Sequence, residues 1–257
     1  MSANPQAAAS GNQATVVLPG NFIAQARGVP MGNGWTWLAD AWDIFRKAAG
    51  TWIGMAVVLV VIVVVAHLIP FIGAIAMQIL WPVFVGGLML ASRTIDQGGE
   101  AQFSQLFAGF RNRTGTLVAL GAVWLVLSII IVVIVGVITG VQVFAIMAAG
   151  GNPDQLAAAA ATALLAGLLI LALMLPLVMA TWFAPALIVF NEMSVGAAMK
   201  ASFVGCLKNI LPFLLYGVLG LIAAVIASIP FGLGWLVLLP VLTASVYTSY
   251  HDIYFES

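Results

Sequence analysis

The chain has 257 residues, 63% of them hydrophobic and only 6% charged, with a mean hydropathy of +1.17. Soluble domains are about a quarter charged, so a soluble globular protein is excluded. Eight Lys and Arg offset eight Asp and Glu, and this neutral balance gives no electrostatic reason to expect nucleic acid as a partner.

The position of the charges carries more than their sum. Basic residues occur as Arg27, Arg46 and Lys47, then Arg93, Arg111 and Arg113, then Lys200 and Lys208. Residues 48–92, 114–153, 155–191 and 209–251 contain no Asp, Glu, Lys or Arg, and each run exceeds the roughly 20 apolar residues that span a bilayer. Cytoplasmic loops collect Lys and Arg. The pattern therefore predicts a polytopic helical bundle in the bacterial inner membrane, with both termini and loops 93–113 and 191–209 cytoplasmic.

Residues 1–32 are rich in small and polar types and hold no apolar core of leader-peptide length. They read as a flexible cytoplasmic tail without a cleavable signal. From residue 33 the period becomes helical, with Trp35, Leu38, Trp42 and Phe45 on one face and Asp40, Asp43 and Lys47 on the other. An interfacial helix follows, with Asn33 as N-cap and Asp43–Lys47 as a surface pair. A first span is expected at 50–69, and Pro70 with Gly73 turns the chain into a second span ending near Arg93. Trp52 and Trp81 sit where indole rings anchor at or pack near a membrane boundary.

Phe103, Leu106, Phe107 and Phe110 recur at i, i+3, i+4 and i+7 ahead of Arg111 and Arg113, which predicts a second amphipathic segment. Spans three and four fall at about 116–148 and 156–190 around the turn Gly150-Gly151-Asn152-Pro153-Asp154. Both exceed one bilayer thickness, so tilt, projection as a hairpin, or a re-entrant turn is expected. A third amphipathic helix opens at Ser194 with Met199, Phe203, Cys206 and Ile210 as its apolar face. Spans five and six follow at about 211–229 and 233–250. The chain thus reads as an all-α bundle of six transmembrane helices in three hairpins, each preceded by a short cytoplasmic amphipathic helix. The transmembrane domain is 33–250, with pseudo-repeats at about 33–93, 101–192 and 194–250, and a tail at 251–257.

Ionisable groups inside a membrane mark transport or proton paths. Here His67 is the one candidate within a span, read as a hydrogen-bonded or wet interfacial histidine near the outer boundary. Gln78 and Gln142 are expected to form interhelical hydrogen bonds, and Gly136 and Gly140, in GxxxG spacing, to let helices approach within the monomer or at a dimer seam. Gly86 with Gly87 and Gly217 with Gly220 add small surfaces. Pro82, Pro176, Pro185, Pro212 and Pro240 read as kinks rather than ion ligands. Tyr247, Tyr250 and Tyr254 with Trp182 read as an aromatic belt.

His251, Asp252 and Glu192 have no spacing that selects a metal geometry, so neither metal nor cofactor is expected. Cys206 reads as a small apolar side chain on a helix face. No HExxH, phosphate loop or nucleophile–His–acid set is visible, and no enzyme activity is expected. Arg46, Lys47, Arg111, Arg113, Lys200 and Lys208 recur at one place in each unit. They read either as topogenic charge or as contacts for anionic lipid or an acidic partner.

The segment TWFAPALIVFNEMSVGAAMKASFVGCLKN, residues 181–209, resembles a module of bacterial multi-pass membrane families and is similar to the membrane domain fused to some glycerophosphodiester phosphodiesterases. ARGVPMGNGWTWLADAWDIFRK from residue 26 and PVFVGGLMLASRTIDQGGE from residue 82 resemble an uncharacterised proteobacterial family of integral membrane proteins. The resemblance implies a fold and a membrane location; without a phosphodiesterase domain it implies no hydrolase activity. The expected role is a non-enzymatic structural or accessory subunit that organises lipid or a membrane-protein partner, with a homo-oligomer as a further partner. The alternative is a permease or channel for a small or lipidic substrate where the hairpins meet. A wet cavity lined by Gln78, Gln142, Asn191 and the proline breaks would favour the permease; a dry aliphatic interior would favour the accessory role.

Overall fold

The computed structural model describes residues 21–23, 25–148 and 152–256. Most of the predicted tail 1–32, together with Gly150 and Gly151, lies outside them. Apart from a single bridge between Phe22 and Phe255, the regular structure among the described residues is helical. In chain order it comprises α1 (Asn33–Lys47), α2 (Ala49–His67), α3 (Ile72–Asp96), a 3-10 helix (Phe103–Phe110), α4 (Thr114–Ala148), α5 (Pro153–Trp182), α6 (Ala184–Asn191), α7 (Val195–Lys208), α8 (Ile210–Ser228) and α9 (Trp235–Tyr254).

Five helices are long and apolar enough to cross a membrane: α2, α3, α4, α5 continued by α6, and α8. The chain is therefore a multi-pass α-helical membrane protein. The sixth predicted span coincides with α9, which falls outside this set. Its second half carries Ser245, Tyr247, Thr248, Ser249, Tyr250 and Asp252, and these lower its hydropathy. Ser245, Tyr247, Ser249 and Tyr250 are buried in the protein itself. Half of the apolar window of α3 is buried, against 6% to 17% in the other four. This makes α3 the central helix, and it touches α1, α2, α4, α6, α9 and the 3-10 helix.

Glycines set the closest approaches. A Cβ on Gly121 would strike the Ile79 carbonyl, one on Gly109 the Val83 carbonyl, and one on Gly34 the Pro212 carbonyl. Helix backbones meet at these points without an intervening side chain. The turns joining α2 to α3 and α8 to α9 share a construction, Ile-Pro-Phe at 69–71 and at 229–231, with Phe71 (φ 62°) and Phe231 (φ 53°) both left-handed. A non-glycine residue is strained there.

Several predicted details are corrected. The buried face of α1 is Gly34, Trp37, Ala41, Ile44 and Phe45, while Trp35 and Trp42 are 61% and 44% exposed. Gly34 admits α8, and Trp37 reaches a buried hydrogen bond, so this face outcompetes the bulkier one. Gly32 rather than Asn33 is the N-cap, and Asp43 pairs with Arg46 rather than Lys47. The second amphipathic segment is 3-10, closed by a reciprocal Gln102–Gln105 capping box. On α7 the buried stripe is Ala198, Ser202, Gly205 and Cys206; Ile210 is exposed and Met199 and Phe203 are only partly covered. Small residues let α7 lie close against its neighbours.

The tyrosines form no belt. Tyr247, Tyr250 and Tyr254 are fully buried, as is Trp52. Tyr250 lies 5.4 Å from Tyr254 between ring centroids, and Phe183 and Phe190 pack against the same cluster. Gly136 and Gly140 are exposed, and a Cβ on either meets nothing within 4 Å. Packing within the monomer is thus not their role. Gln142 and Gln78 make no interhelical hydrogen bond among the described residues.

Candidate functional site

The charged end of the bundle is a hydrogen-bonded plug. Residues 21–23 and 25–29 lie along the end of α9: Ile23 N–H donates to the Tyr254 carbonyl (2.8 Å) and Arg27 N–H to that of Ile253 (3.0 Å). Asp252 is the hub, accepting from Arg27 Nη2 (3.0 Å), Asn33 Nδ2 (2.7 Å) and Trp37 Nε1 (2.7 Å). Asn209, buried, accepts from Val29 N–H (2.8 Å) and donates to the carbonyls of Arg27 and Gly205, both at 2.9 Å. Tyr247 donates to Asp96 (3.0 Å), Tyr250 to Asn191, and Tyr254 to the Ala201 carbonyl (2.9 Å). Arg93 sits over the Phe190 ring at 5.2 Å. His251 and Asp252 thus belong to the plug, while Glu192 pairs elsewhere, with Arg113.

Of the six basic residues singled out by sequence, Arg46 pairs with Asp43 and Arg113 with Glu192, while Lys208 donates to the Ala26 carbonyl (2.8 Å). Lys47, Arg111 and Lys200 are exposed and have no side-chain partner among the described residues. These six residues lie on α1, just after the 3-10 helix and on α7, the short segments between the long apolar helices.

Beside the plug lies an open-sided cavity of about 880 Å³ lined by α2, α3, α4, α5, α6, α8 and α9. It is within the ~300–1,000 Å³ range of small-molecule sites. His67, Ala74 and Gln78 line it towards the hairpin tips, and Met89, Trp182, Pro185 and Tyr216 towards the plug. No Asp, Glu, Lys or Arg lines it. His67 Nδ1 donates to the Val63 carbonyl at 2.7 Å, which leaves Nε2 as the free ring nitrogen. Gln78 has no hydrogen-bond partner among the described residues, and the buried Trp182 Nε1 has none. Gln142 and Asn191, the other polar residues expected in such a cavity, are outside it.

One proline coincides with a helix break. The helix stops at Trp182 and restarts at Ala184 because Pro185 supplies no N–H to the preceding turn. Ser202 staples the break: its Oγ donates to the Met179 carbonyl (2.6 Å) and accepts from Phe183 N–H (2.9 Å). The Met179 carbonyl is thereby satisfied by protein. Helices α3, α5 and α9 continue through Pro82, Pro176 and Pro240, and Pro212 falls in the first turn of α8.

A multi-pass helical membrane protein with an uncharged, open-sided cavity between its helices is the class that this geometry defines. A protein of Burkholderia thailandensis described as a "probable inner membrane protein" is 27% identical over 245 residues, covering 86% of this chain and 89% of the relative. No family model matches the chain, and no solved structure is similar to it.

Proposed function

We propose that this chain is a non-enzymatic protein of the bacterial inner membrane that organises lipid, holding it in the cavity and against the basic rim. In this reading α9 is the sixth span, the helices form three hairpins, and α1, the 3-10 helix and α7 lie at the cytoplasmic face with both termini. The observation that carries it is the cavity: about 880 Å³ of space among membrane helices, walled by aliphatic and aromatic groups and free of charged side chains. An aqueous solute or ion finds little there to replace its hydration, whereas a hydrocarbon chain does. The rim adds Lys47, Arg111 and Lys200, each suited to an anionic headgroup. Similarity to a probable inner membrane protein supports the location.

The permease alternative draws on the same cavity and on the helix break at Phe183 beside it. It requires the plug to open, breaking the Asp252, Asn209 and tyrosine contacts together. Extraction in native lipid followed by mass spectrometry, against an unrelated six-span protein, tests the reading. The proposal expects lipid retained in fixed proportion after the bulk has been washed away. Retention no greater than in the control would overturn it, and a polar solute retained instead would favour the permease.

A further inference from the structure

We infer that the cavity is a site for an uncharged lipid ester of the acylglycerol class, entering sideways from the bilayer and held by Gln78 and His67. The inference rests on the lipid-organising reading and names the lipid.

Size and shape come first. A packed heavy atom occupies about the volume of a water, ~30 Å³, so 880 Å³ admits roughly 30 heavy atoms, one acyl chain with its glycerol ester, and the second chain of a diacylglycerol stays in the bilayer at the open side of the cavity. Along α3 the lining runs from Ala74 to Met89, about 22 Å at the helical rise. The hydrogen-bonding groups of the cavity are unevenly placed. His67 is the last residue of α2 and stands at the mouth, while Gln78 lies six residues into α3, about 9 Å deeper. Gln78 is exposed on the cavity wall and offers two N–H donors and a carbonyl that have no partner among the described residues, and between membrane helices an unmade hydrogen bond is costly. An ester carbonyl answers the donors, and a free hydroxyl at the mouth answers the His67 ring nitrogen.

Charge then separates lipid classes. All eight basic residues lie outside the lining, so nothing in the cavity neutralises a phosphate. An acylglycerol brings the same esters and chains without that charge. The route is set by the hairpin tips beside the mouth. Leu68, Ile69, Phe71 and Ile72 of one tip and Ile229, Phe231 and Leu233 of another are all exposed, Phe71 at 85% and Phe231 completely. These tips fit hydrocarbon rather than water, so the mouth opens into the bilayer.

Gly217 and Gly220 line the cavity, and a Cβ on either meets nothing within 4 Å. Larger side chains at these positions therefore occupy the cavity without displacing a helix. The test uses delipidated full-length protein in phosphatidylcholine nanodiscs, offered dioleoylglycerol or dioleoylphosphatidylglycerol, with bound lipid read by native mass spectrometry. The wild type is expected to retain dioleoylglycerol at one per chain with at least tenfold preference. Gln78→Leu and Gly220→Phe should each lower retention at least tenfold, whereas Val141→Phe, outside the cavity, should not. If Gly220→Phe does not fold, Gly217→Leu tests the same wall.

Equal or better retention of the phosphatidylglycerol, abolished by Gly220→Phe, would overturn the uncharged class while leaving the lipid-organising reading intact. Dioleoylglycerol retention indifferent to Gly220→Phe and Gln78→Leu would overturn the site. Retention of neither lipid would remove both readings.

Discussion

Replacing Asp252 by Ala should be among the most damaging single changes in the charged-end plug. Its carboxylate accepts three hydrogen bonds, from the Arg27 guanidinium, the Asn33 amide and the Trp37 indole. Trp37 is only 1% exposed, so its N–H loses its acceptor at a position with little access to water. A hydrogen bond to a charged group contributes about 1.5–3 kcal/mol, and orphaning a buried donor costs a further share of that size. The Arg27 and Asp252 side chains are 35% and 21% exposed, so the ion pair itself adds little. The sum is about 3 kcal/mol, which for a chain of this size is a fall of roughly 6–12 °C in Tm. Because Arg27 and Val29 are tied into the same region, residues 25–29 should loosen with it, and trypsin should cut after Arg27 faster than in the wild type. Asp252→Asn keeps one acceptor and should cost about half as much. A Tm change under about 1 °C for Asp252→Ala, with no gain in cleavage at Arg27, would refute the hub.

Other consequences separate this structure from its alternatives. Gly121→Leu places a side chain against the Ile79 carbonyl and should destabilise by about 1–3 kcal/mol or block folding, while Gly140→Leu should stay within about 0.5 kcal/mol, both read as unfolding midpoints. Burial pushes the Cys206 thiol up to about 12, against a lowering contact from Ser202, so maleimide should label it slowly in the folded protein and readily once unfolded. Burial first, then the carboxylates of Asp43, Asp252 and Asp96, raises Asp40 above its ordinary value. The folded state then holds that proton more tightly than the unfolded one, and stability falls as pH rises from the ordinary carboxylate value through the raised one. Asp40→Asn should therefore raise Tm at neutral pH, with the gain vanishing once pH is below the ordinary carboxylate range. Reversing Arg111 and Lys200 to Glu should lower the preference for anionic over zwitterionic lipid, measured by quenching with brominated lipids, by roughly thirtyfold from about 1 kcal/mol per removed charge; an unchanged preference would make these charges topogenic only.

Helix positions were readable because charge-free runs leave the backbone no water to bond and force it into helices. The expected 50–69 and 211–229 became Ala49–His67 and Ile210–Ser228. Helix faces were less readable. Trp35 and Trp37 are the same residue type two positions apart, and the buried one is chosen by Asp252, 215 residues away. Prolines are alike in sequence, yet only Pro185 coincides with a break, beside a serine on another helix that staples the freed groups. The GxxxG pair faces outward because close approach occurs at Gly121, Gly109 and Gly34, where the signal is one glycine opposite a distant backbone. The cavity draws its walls from seven helices, and of the residues expected to line such a cavity Gln78, Pro82 and Pro185 do so while Gln142 and Asn191 do not.

The central claim is that this cavity is filled by lipid rather than water. A spin label on Gly220→Cys, in a Cys206→Ser background and in native-lipid nanodiscs, reports on it directly through collision with oxygen and with a water-soluble nickel chelate. High oxygen and low nickel accessibility, as for a label in hydrocarbon, is the predicted result. Nickel accessibility matching that of a label at exposed Lys200→Cys would mean a water-filled chamber, contradicting the lipid account and placing the permease ahead of it.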